Sequence, residues 1–173
     1  MVPRCRRFPR VFKGARSRRL PGERWLDIRK VGTLRLIMEC RMDVCRRERF
    51  DAIEPANVDG YANKSGFPLT YKDQIAYNRM LAAEAHEHGL SITPKNDTTQ
   101  VEDLVDGFDF AVVEECFSYE ECGRYSPFVR AGKAVFIAEY GGKDMVARSE
   151  RTHRLDFGLI FRLLDLGAWR RAC

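Results

Sequence analysis

Short apolar runs typical of β-strands alternate with longer segments of helical period along most of this 173-residue chain. Such alternation is the pattern of βαβ units, in which parallel strands form a sheet that helices cover. Strands are predicted at 24–28, 50–54, 90–93, 108–113 and 134–138, and helices near 31–48, 72–88, 98–105, 119–131 and 150–165. The sequence therefore predicts an α/β fold built from about five βα units.

Every predicted strand ends in polar residues. In α/β folds, ligands bind at the carboxyl ends of parallel strands, and barrel enzymes draw catalytic groups from several of these ends. The candidates are Asp27, Glu54, Asn57, Asp59, Lys95, Asn96, Asp97, Glu114, Glu115 and Tyr140. Five polar strand ends in succession favour one shared site.

Three of these candidates also have a purely structural interpretation. Asp59 precedes Gly60 and can cap a turn. Lys95 can form a salt bridge with a neighbouring acid. Asp27 can pair with Arg29, two positions later in the chain. The sequence leaves these alternatives open.

The basic charge of the chain is concentrated near its N terminus. Residues 1–19 contain eight Lys and Arg residues and no acid, whereas the formal net charge of the whole chain is only +5. The remainder is therefore net acidic. We predict that residues 1–20 form a basic, disordered tail and that residues 21–173 form one folded domain.

The expected partners follow from what the sequence lacks. No aromatic pattern or helical period in the basic tail supports specific nucleic-acid readout, so we expect no nucleic-acid partner. No apolar run approaches the roughly 20 residues of a membrane helix, and we expect no membrane partner. The N terminus also lacks the apolar segment of a secretory signal.

Carboxylates at separate strand ends, without a Ser-His or Cys-His constellation, are typical of glycosidic chemistry. A glycosidase needs one carboxyl group to protonate the leaving oxygen and a second as nucleophile or base. Clusters of Asp, Glu and Asn also bind divalent cations, which is the competing interpretation. The spacing of His and Cys residues predicts no zinc site. Cys116 and Cys122 can form a disulfide or remain buried thiols.

Several motifs resemble glycoside hydrolase family 114, the endo-α-1,4-polygalactosaminidase-like proteins. The segment 21–29 (PGERWLDIR) is similar to a segment of that family, and residues 54–61 (EPANVDGY) are similar to the family's EPDNVDGY. Further similar segments are 66–70 (GFPLT), 95–97 (KND), 114–117 (EECF), 131–136 (AGKAVF) and 139–140 (EY). The resemblance covers about residues 8–173.

The resemblance implies a (β/α)8 TIM barrel that hydrolyses α-1,4-linked galactosamine polymers without a metal or organic cofactor. It also implies secretion or a cell-surface location. The substrate would be a cationic polysaccharide, which a carboxylate-rich pocket attracts. Glu114 and Glu54 are the predicted catalytic carboxyl groups, and the other strand-end residues are predicted to bind the sugar.

Two departures from the family pattern affect the expected activity. Ala56 occupies the position of the Asp in EPDN, and alanine can neither attack an anomeric carbon nor accept a proton. Glu54 lies two positions earlier, on the same side of the strand, but at a different depth. Five strands are predicted where the family barrel has eight, so we expect a partial, N-terminally truncated barrel. We predict greatly reduced hydrolysis, with a non-catalytic carbohydrate-binding protein or a degenerate gene product as the alternative.

Overall fold

The computed structural model describes residues 5, 7–16, 22–142 and 144–173. The chain divides into two compact units, Met1–Ile92 and Thr93–Cys173. Both units contain helices and strands, which confirms the predicted α/β class. Among the described helices, none combines the length and apolar character needed to cross a bilayer.

The first unit contains two small sheets. Strands β1 (Lys13–Arg16) and β2 (Arg24–Leu26) pair antiparallel, and strands β3 (Ala52–Ile53) and β4 (Ser91–Ile92) pair in parallel. A strand therefore occurs within the predicted range 24–28, but the prediction that it belongs to a parallel sheet is wrong. Strand β1 lies inside the tail that was predicted to be disordered. The predicted disorder is therefore wrong for residues 13–16. Residues 1–4, 6 and 17–20 of the tail lie outside the described part of the chain.

Two long helices pack in this unit. They are α1 (Val31–Arg47) and α2 (Tyr71–Glu87), close to their predicted positions. A capping box starts α2, because the Thr70 hydroxyl accepts the Asp73 backbone N–H while the Asp73 carboxylate accepts the Thr70 N–H. Buried Leu34 and Leu81 contribute to the core of the unit. Apolar burial of this kind supplies most of the stability of amphipathic helices.

The second unit is built on one four-stranded sheet. Strands β5 (Ala111–Glu114), β6 (Val135–Tyr140) and β7 (Gly158–Arg162) are parallel, and β8 (Arg170–Ala172) pairs antiparallel with β7. The helices of this unit are short: α3 (Val101–Leu104), α4 (Ser126–Arg130) and α5 (Met145–Leu155). Short 3-10 turns flank α3 and precede α4.

Strand β7 contradicts the predicted helix at 150–165. Helix α5 ends at Leu155, and Asp156 adopts a left-handed conformation with φ 57°. The chain then re-enters the sheet, with Leu159 and Phe161 buried on one face. The apolar run 157–161 is compatible with either element by period alone. The described strands form three separate sheets, so a continuous wall of five βα units stays a prediction.

Disulfide bonds settle the alternatives left open for the cysteines. Cys116 is bonded to Cys122, directly after β5, and Cys5 is bonded to Cys40 on α1. Cys45 and Cys173 are free thiols. The bond between Cys5 and Cys40, which links the N-terminal segment to α1, was not predicted from the sequence.

Candidate active site

Glu114, the last residue of β5, lies at the centre of a polar cluster in the second unit. Its Oε1 atom accepts a hydrogen bond of 2.6 Å from the Tyr140 hydroxyl. Its Oε2 atom lies 3.2 Å from the ammonium nitrogen of Lys95. The carboxylate is about one-third exposed, whereas Lys95 is mostly buried. Both oxygens therefore have donors, while the group can still be reached from solvent.

Sheet register explains why Tyr140 reaches Glu114. Glu114 pairs with Ala138 on β6, and Tyr140 lies two residues beyond Ala138. Because alternate residues of a strand share one face, Tyr140 projects on the same face as Glu114. The structure thus brings together two predicted site residues that are 26 positions apart.

Asn96 attaches the preceding chain segment to the same strand end. Its Oδ1 atom accepts the backbone N–H of Glu114 at 3.0 Å, and its own N–H donates to the carbonyl of Val112. Asn96 and Asp97 both adopt left-handed backbone conformations, with φ 56° and 51°. Non-glycine residues in this region cluster at functional sites. The side-chain bond fixes the backbone at Glu114.

The hydroxyl of Tyr140 is a neutral donor. Burial, together with its hydrogen bond to Glu114, raises the pKa of Tyr140 to about 12. The tyrosine therefore keeps its proton throughout the physiological range and can donate to the carboxylate at any such pH.

Glu115 follows Glu114 in the chain but lies outside β5, where the backbone turns into a loop. Its backbone is left-handed, with φ 57°, and its N–H donates to the carbonyl of Ala138. The chain turns here into the loop that the Cys116–Cys122 disulfide closes. Glu115 is half-buried, and its predicted role in sugar binding stays a prediction.

Glu139 lies on the opposite face of β6 and anchors this loop from behind. Its fully buried carboxylate accepts the backbone N–H of Phe117 at 3.0 Å and pairs with Arg148 of α5. Arg148 also lies over the ring of Phe117, with 5.8 Å between the guanidinium carbon and the ring centroid. Burial raises the pKa of Glu139, although both partners oppose this effect.

Asp97 has a structural position in the second unit. It is buried and precedes the 3-10 turn Thr98–Gln100, where its carbonyl accepts the N–H of Gln100. Its predicted contact with sugar stays a prediction.

Glu54, Ala56 and Asn57 lie in the first unit, where they line a cavity of about 590 Å³. All three are exposed. The wall also includes the aromatic rings of Trp25 and Tyr77. Burial raises the pKa of Tyr77 to about 12. The cavity thus combines apolar walls with a rim of carboxylate and amide groups.

Asp27 and Asp59 have local partners in the same unit. Asp27 forms a two-point salt bridge with Arg29, at 2.7 and 2.8 Å, and this pairing lowers the pKa of Asp27. Asp59 precedes the 3-10 turn Gly60–Ala62 and accepts a hydrogen bond of 3.0 Å from the side chain of Asn63. The pair with Arg29 matches the structural interpretation of Asp27, whereas Asp59 occupies the N-cap position of its turn without a side-chain capping hydrogen bond. Their predicted contacts with sugar stay predictions.

Three supporting residues were not among the predicted site residues: Tyr125, Glu139 and Arg148. The hydroxyl of fully buried Tyr125 donates to the carbonyl of Asn96 at 2.9 Å. Nothing in the local sequence distinguishes this tyrosine from an ordinary core aromatic. Glu139 carried a signal, since it directly follows the predicted strand 134–138, within the segment 139–140 that resembles the family. Its partner on α5 could not be assigned without the fold.

No group of three or more His, Cys, Asp or Glu side chains suited to a metal ion occurs among residues 5, 7–16, 22–142 and 144–173. Four of the carboxylates described above are paired with cationic or neutral donors instead: Asp27, Asp59, Glu114 and Glu139. Absence of a cofactor stays a prediction from the family resemblance.

The sequence model of glycoside-hydrolase family GH114 matches residues 3–173. The chain belongs to this glycoside hydrolase family. The crystal structure of Aspergillus fumigatus Ega3 in complex with galactosamine is similar, with a TM-score of 0.84 and 32% sequence identity over 96% of this chain and 70% of that chain.

A second solved structure shares the fold with this GH114 chain. The glycoside hydrolase domain of PelA from Pseudomonas aeruginosa has a TM-score of 0.62, with 11% identity over 94% of this chain and 72% of that chain. No curated protein sequence matches the chain.

Proposed function

We propose that this GH114 chain binds galactosamine-containing polysaccharide and acts on its glycosidic bonds, with Glu114 as the proton-transferring carboxyl group. The observation that carries the proposal is the Glu114 cluster at the carboxyl end of β5. Its carboxylate is partly exposed and is held on both oxygens by Tyr140 and Lys95. A carboxyl group fixed in this way is suited to general acid–base catalysis.

Galactosamine is the amino sugar that supports the choice of substrate. Ega3, which is 32% identical to this chain, was crystallised with it. A free amino sugar is cationic at neutral pH, and a carboxylate such as that of Glu54 at the cavity of the first unit attracts it. The rings of Trp25 and Tyr77 in the cavity wall offer apolar surface for a sugar ring.

Ala56 limits the rate of the proposed reaction. Hydrolysis of a glycosidic bond needs two carboxyl groups, and the family motif resembled by residues 54–61 has Asp at this position. In the native chain, Glu54 is the nearest acidic residue in the sequence, but it lies two positions earlier. A displacement of about 1 Å already costs on the order of 100-fold in rate. Turnover is therefore expected to be low.

The test compares native protein with Ala56→Asp on de-N-acetylated galactosamine oligosaccharides, with products followed by mass spectrometry. Ala56 is exposed at the cavity, so the aspartate can be introduced without burying a charge. We expect the variant to hydrolyse on the order of 100-fold faster or more. Ala56→Asn, which has the same size without the charge, is the matched control. Equal rates for all three proteins would contradict the proposed role of position 56.

Ala56 also favours a second function, that of a carbohydrate-binding protein without turnover. Calorimetry for binding and mass spectrometry for products, with the same oligosaccharides, distinguish the two functions. Binding by native protein with no product after prolonged incubation indicates the binding protein, whereas slow product formation indicates the hydrolase.

A further inference from the structure

The β7–β8 connection exposes a concentration of large apolar side chains. Of the eleven that are exposed in the described residues, four occur within residues 163–169. They are Leu163, Leu164, Leu166 and Trp169, and Leu164 retains 79% of its accessible surface. We call residues 163–169 the apolar turn. Contiguous apolar exposure of this kind marks sites of interaction with a protein or a membrane.

Hydrogen bonds hold the apolar turn in one conformation. The guanidinium of Arg162 donates to the carbonyls of Leu166 and Gly167, at 2.8 Å each. The carboxylate of Asp165 accepts the N–H of Gly167 at 2.9 Å, and the N–H of Leu166 donates to the carbonyl of Leu163. Several polar backbone groups are thus paired within the turn, while the leucine side chains are exposed. Little ordering is required when such a turn binds.

Positive charge follows directly after the apolar turn. Arg170 and Arg171 are exposed on β8, which ends the sheet on that side. The single acid of the turn, Asp165, is engaged by the backbone of Gly167. Exposed leucine and tryptophan side chains, with exposed arginines directly after them in the chain, match the layers of a membrane surface. Apolar chains enter the acyl boundary, the indole lies among the headgroups, and the guanidiniums meet anionic phosphates.

We propose that the apolar turn docks this chain onto an anionic phospholipid surface, without crossing the bilayer. This partner departs from the expectation of no membrane partner, which rested on the lack of a spanning segment. A second copy of the chain is less suitable, because β8 strands paired edge to edge would bring arginines of like charge together. The inference is independent of the proposed glycosidase function.

The test is flotation of the full chain with vesicles of phosphatidylcholine alone or with about 30% phosphatidylserine. We expect native protein to float with the anionic vesicles. Leu164→Ser should lower the bound fraction about tenfold, because one leucine leaves the acyl boundary. Arg171→Gln should lower it roughly fivefold and only with anionic vesicles. Leu36→Ser, at a leucine that is 63% exposed on α1, should leave binding unchanged.

The proposal is overturned if native protein floats with neither vesicle, or if Leu36→Ser reduces binding as much as Leu164→Ser does. It is also overturned if sedimentation shows concentration-dependent dimers that Leu164→Ser abolishes, since the turn would then bind a second copy. Circular dichroism of each variant, expected to match native protein because these side chains are exposed, excludes unfolding as the cause.

Discussion

The two units organise their polar strand ends in different ways. In the first unit, Asp27 and Asp59 are held by residues only two and four positions away. In the second unit, Glu114 is held by side chains that are 18 and 26 positions away. Local pairs form wherever the sequence provides them, whereas long-range pairs exist only in the folded sheet. A carboxylate held by residues that are distant in the sequence is the better candidate for chemistry that needs fixed geometry.

The largest effect that follows from this comparison concerns Glu114. In the Ala56→Asp background, Glu114→Gln should lower kcat on galactosamine oligosaccharides by on the order of 10²–10⁴, because the proton-transferring group is lost. Glu150→Gln, at an exposed glutamate of α5, is the matched control and should retain the rate. If Glu114→Gln also retains it, the cluster of the second unit is not the catalytic one.

The next effect concerns the anchor behind the site. Arg148→Met should destabilise the protein by about 3 kcal/mol, because the buried carboxylate of Glu139 loses its cationic partner. The loss should be smaller in acid, where Glu139 is protonated and carries no charge. Thermal unfolding across a pH series measures both features. A loss that does not change with pH would show that Arg148 acts through packing alone.

A smaller effect is expected for Tyr140→Phe, which removes only the hydroxyl. Loss of a hydrogen bond to a charged group should lower kcat about tenfold in the Ala56→Asp background. Since the pKa of Tyr140 is about 12, the ratio of the two rates should be constant through neutral pH. Tyr119→Phe, at an exposed tyrosine, is the control. A ratio that varies with pH would contradict the neutral-donor role.

The smallest expected effects are two changes of folding stability with pH, which have opposite signs. The pKa of Asp27 is lowered by Arg29, so its contribution to stability is present above the ordinary value of 3.8 and is lost as pH falls. The free energy of unfolding of native protein should therefore exceed that of Asp27→Asn at neutral pH, and this difference should disappear in acid. The pKa of Glu139 is raised by burial, so the folded state binds more protons just above pH 4.5 and becomes less stable as pH rises.

Glu139→Gln removes the titrating group and with it the loss of stability that Glu139 causes as pH rises. The stability of this variant relative to native protein should therefore rise from pH 4.5 upward, opposite to the trend for Asp27→Asn. Chemical denaturation across a pH series measures the stability of both variants relative to native protein. If the two differences change with pH in the same direction, Asp27 is not stabilised by its local pair or Glu139 is not destabilised by burial.

The sequence predicted the elements whose period is clear. Helices α1 and α2 and strands β5 and β6 occur close to their predicted positions because long amphipathic periods and β-branched runs have one interpretation. Strand β7 was missed, since residues 157–161 are equally compatible with a buried helix. The pairing of β1 with β2 was also missed, because the charged segment 13–16 has no apolar alternation.

The candidate site was predictable as a set of residues but not as a geometry. Lys95, Asn96, Glu114 and Tyr140 stand out as polar strand ends, and the structure brings them together. That Tyr140 faces Glu114 while Glu139 faces α5 depends on the register between β5 and β6. Register is set by the whole sheet, and a shift of one residue would exchange the two side chains.

The most direct test of the central claim is a crystal structure of the native chain with a galactosamine oligosaccharide. Low turnover, which we attribute to Ala56, should leave the oligosaccharide intact. We predict a sugar oxygen within hydrogen-bonding distance, about 3 Å, of the Glu114 carboxylate, with the bond between Tyr140 and Glu114 preserved. Oligosaccharide that occupies the crystal without touching Glu114, Tyr140 or Lys95 would contradict the account.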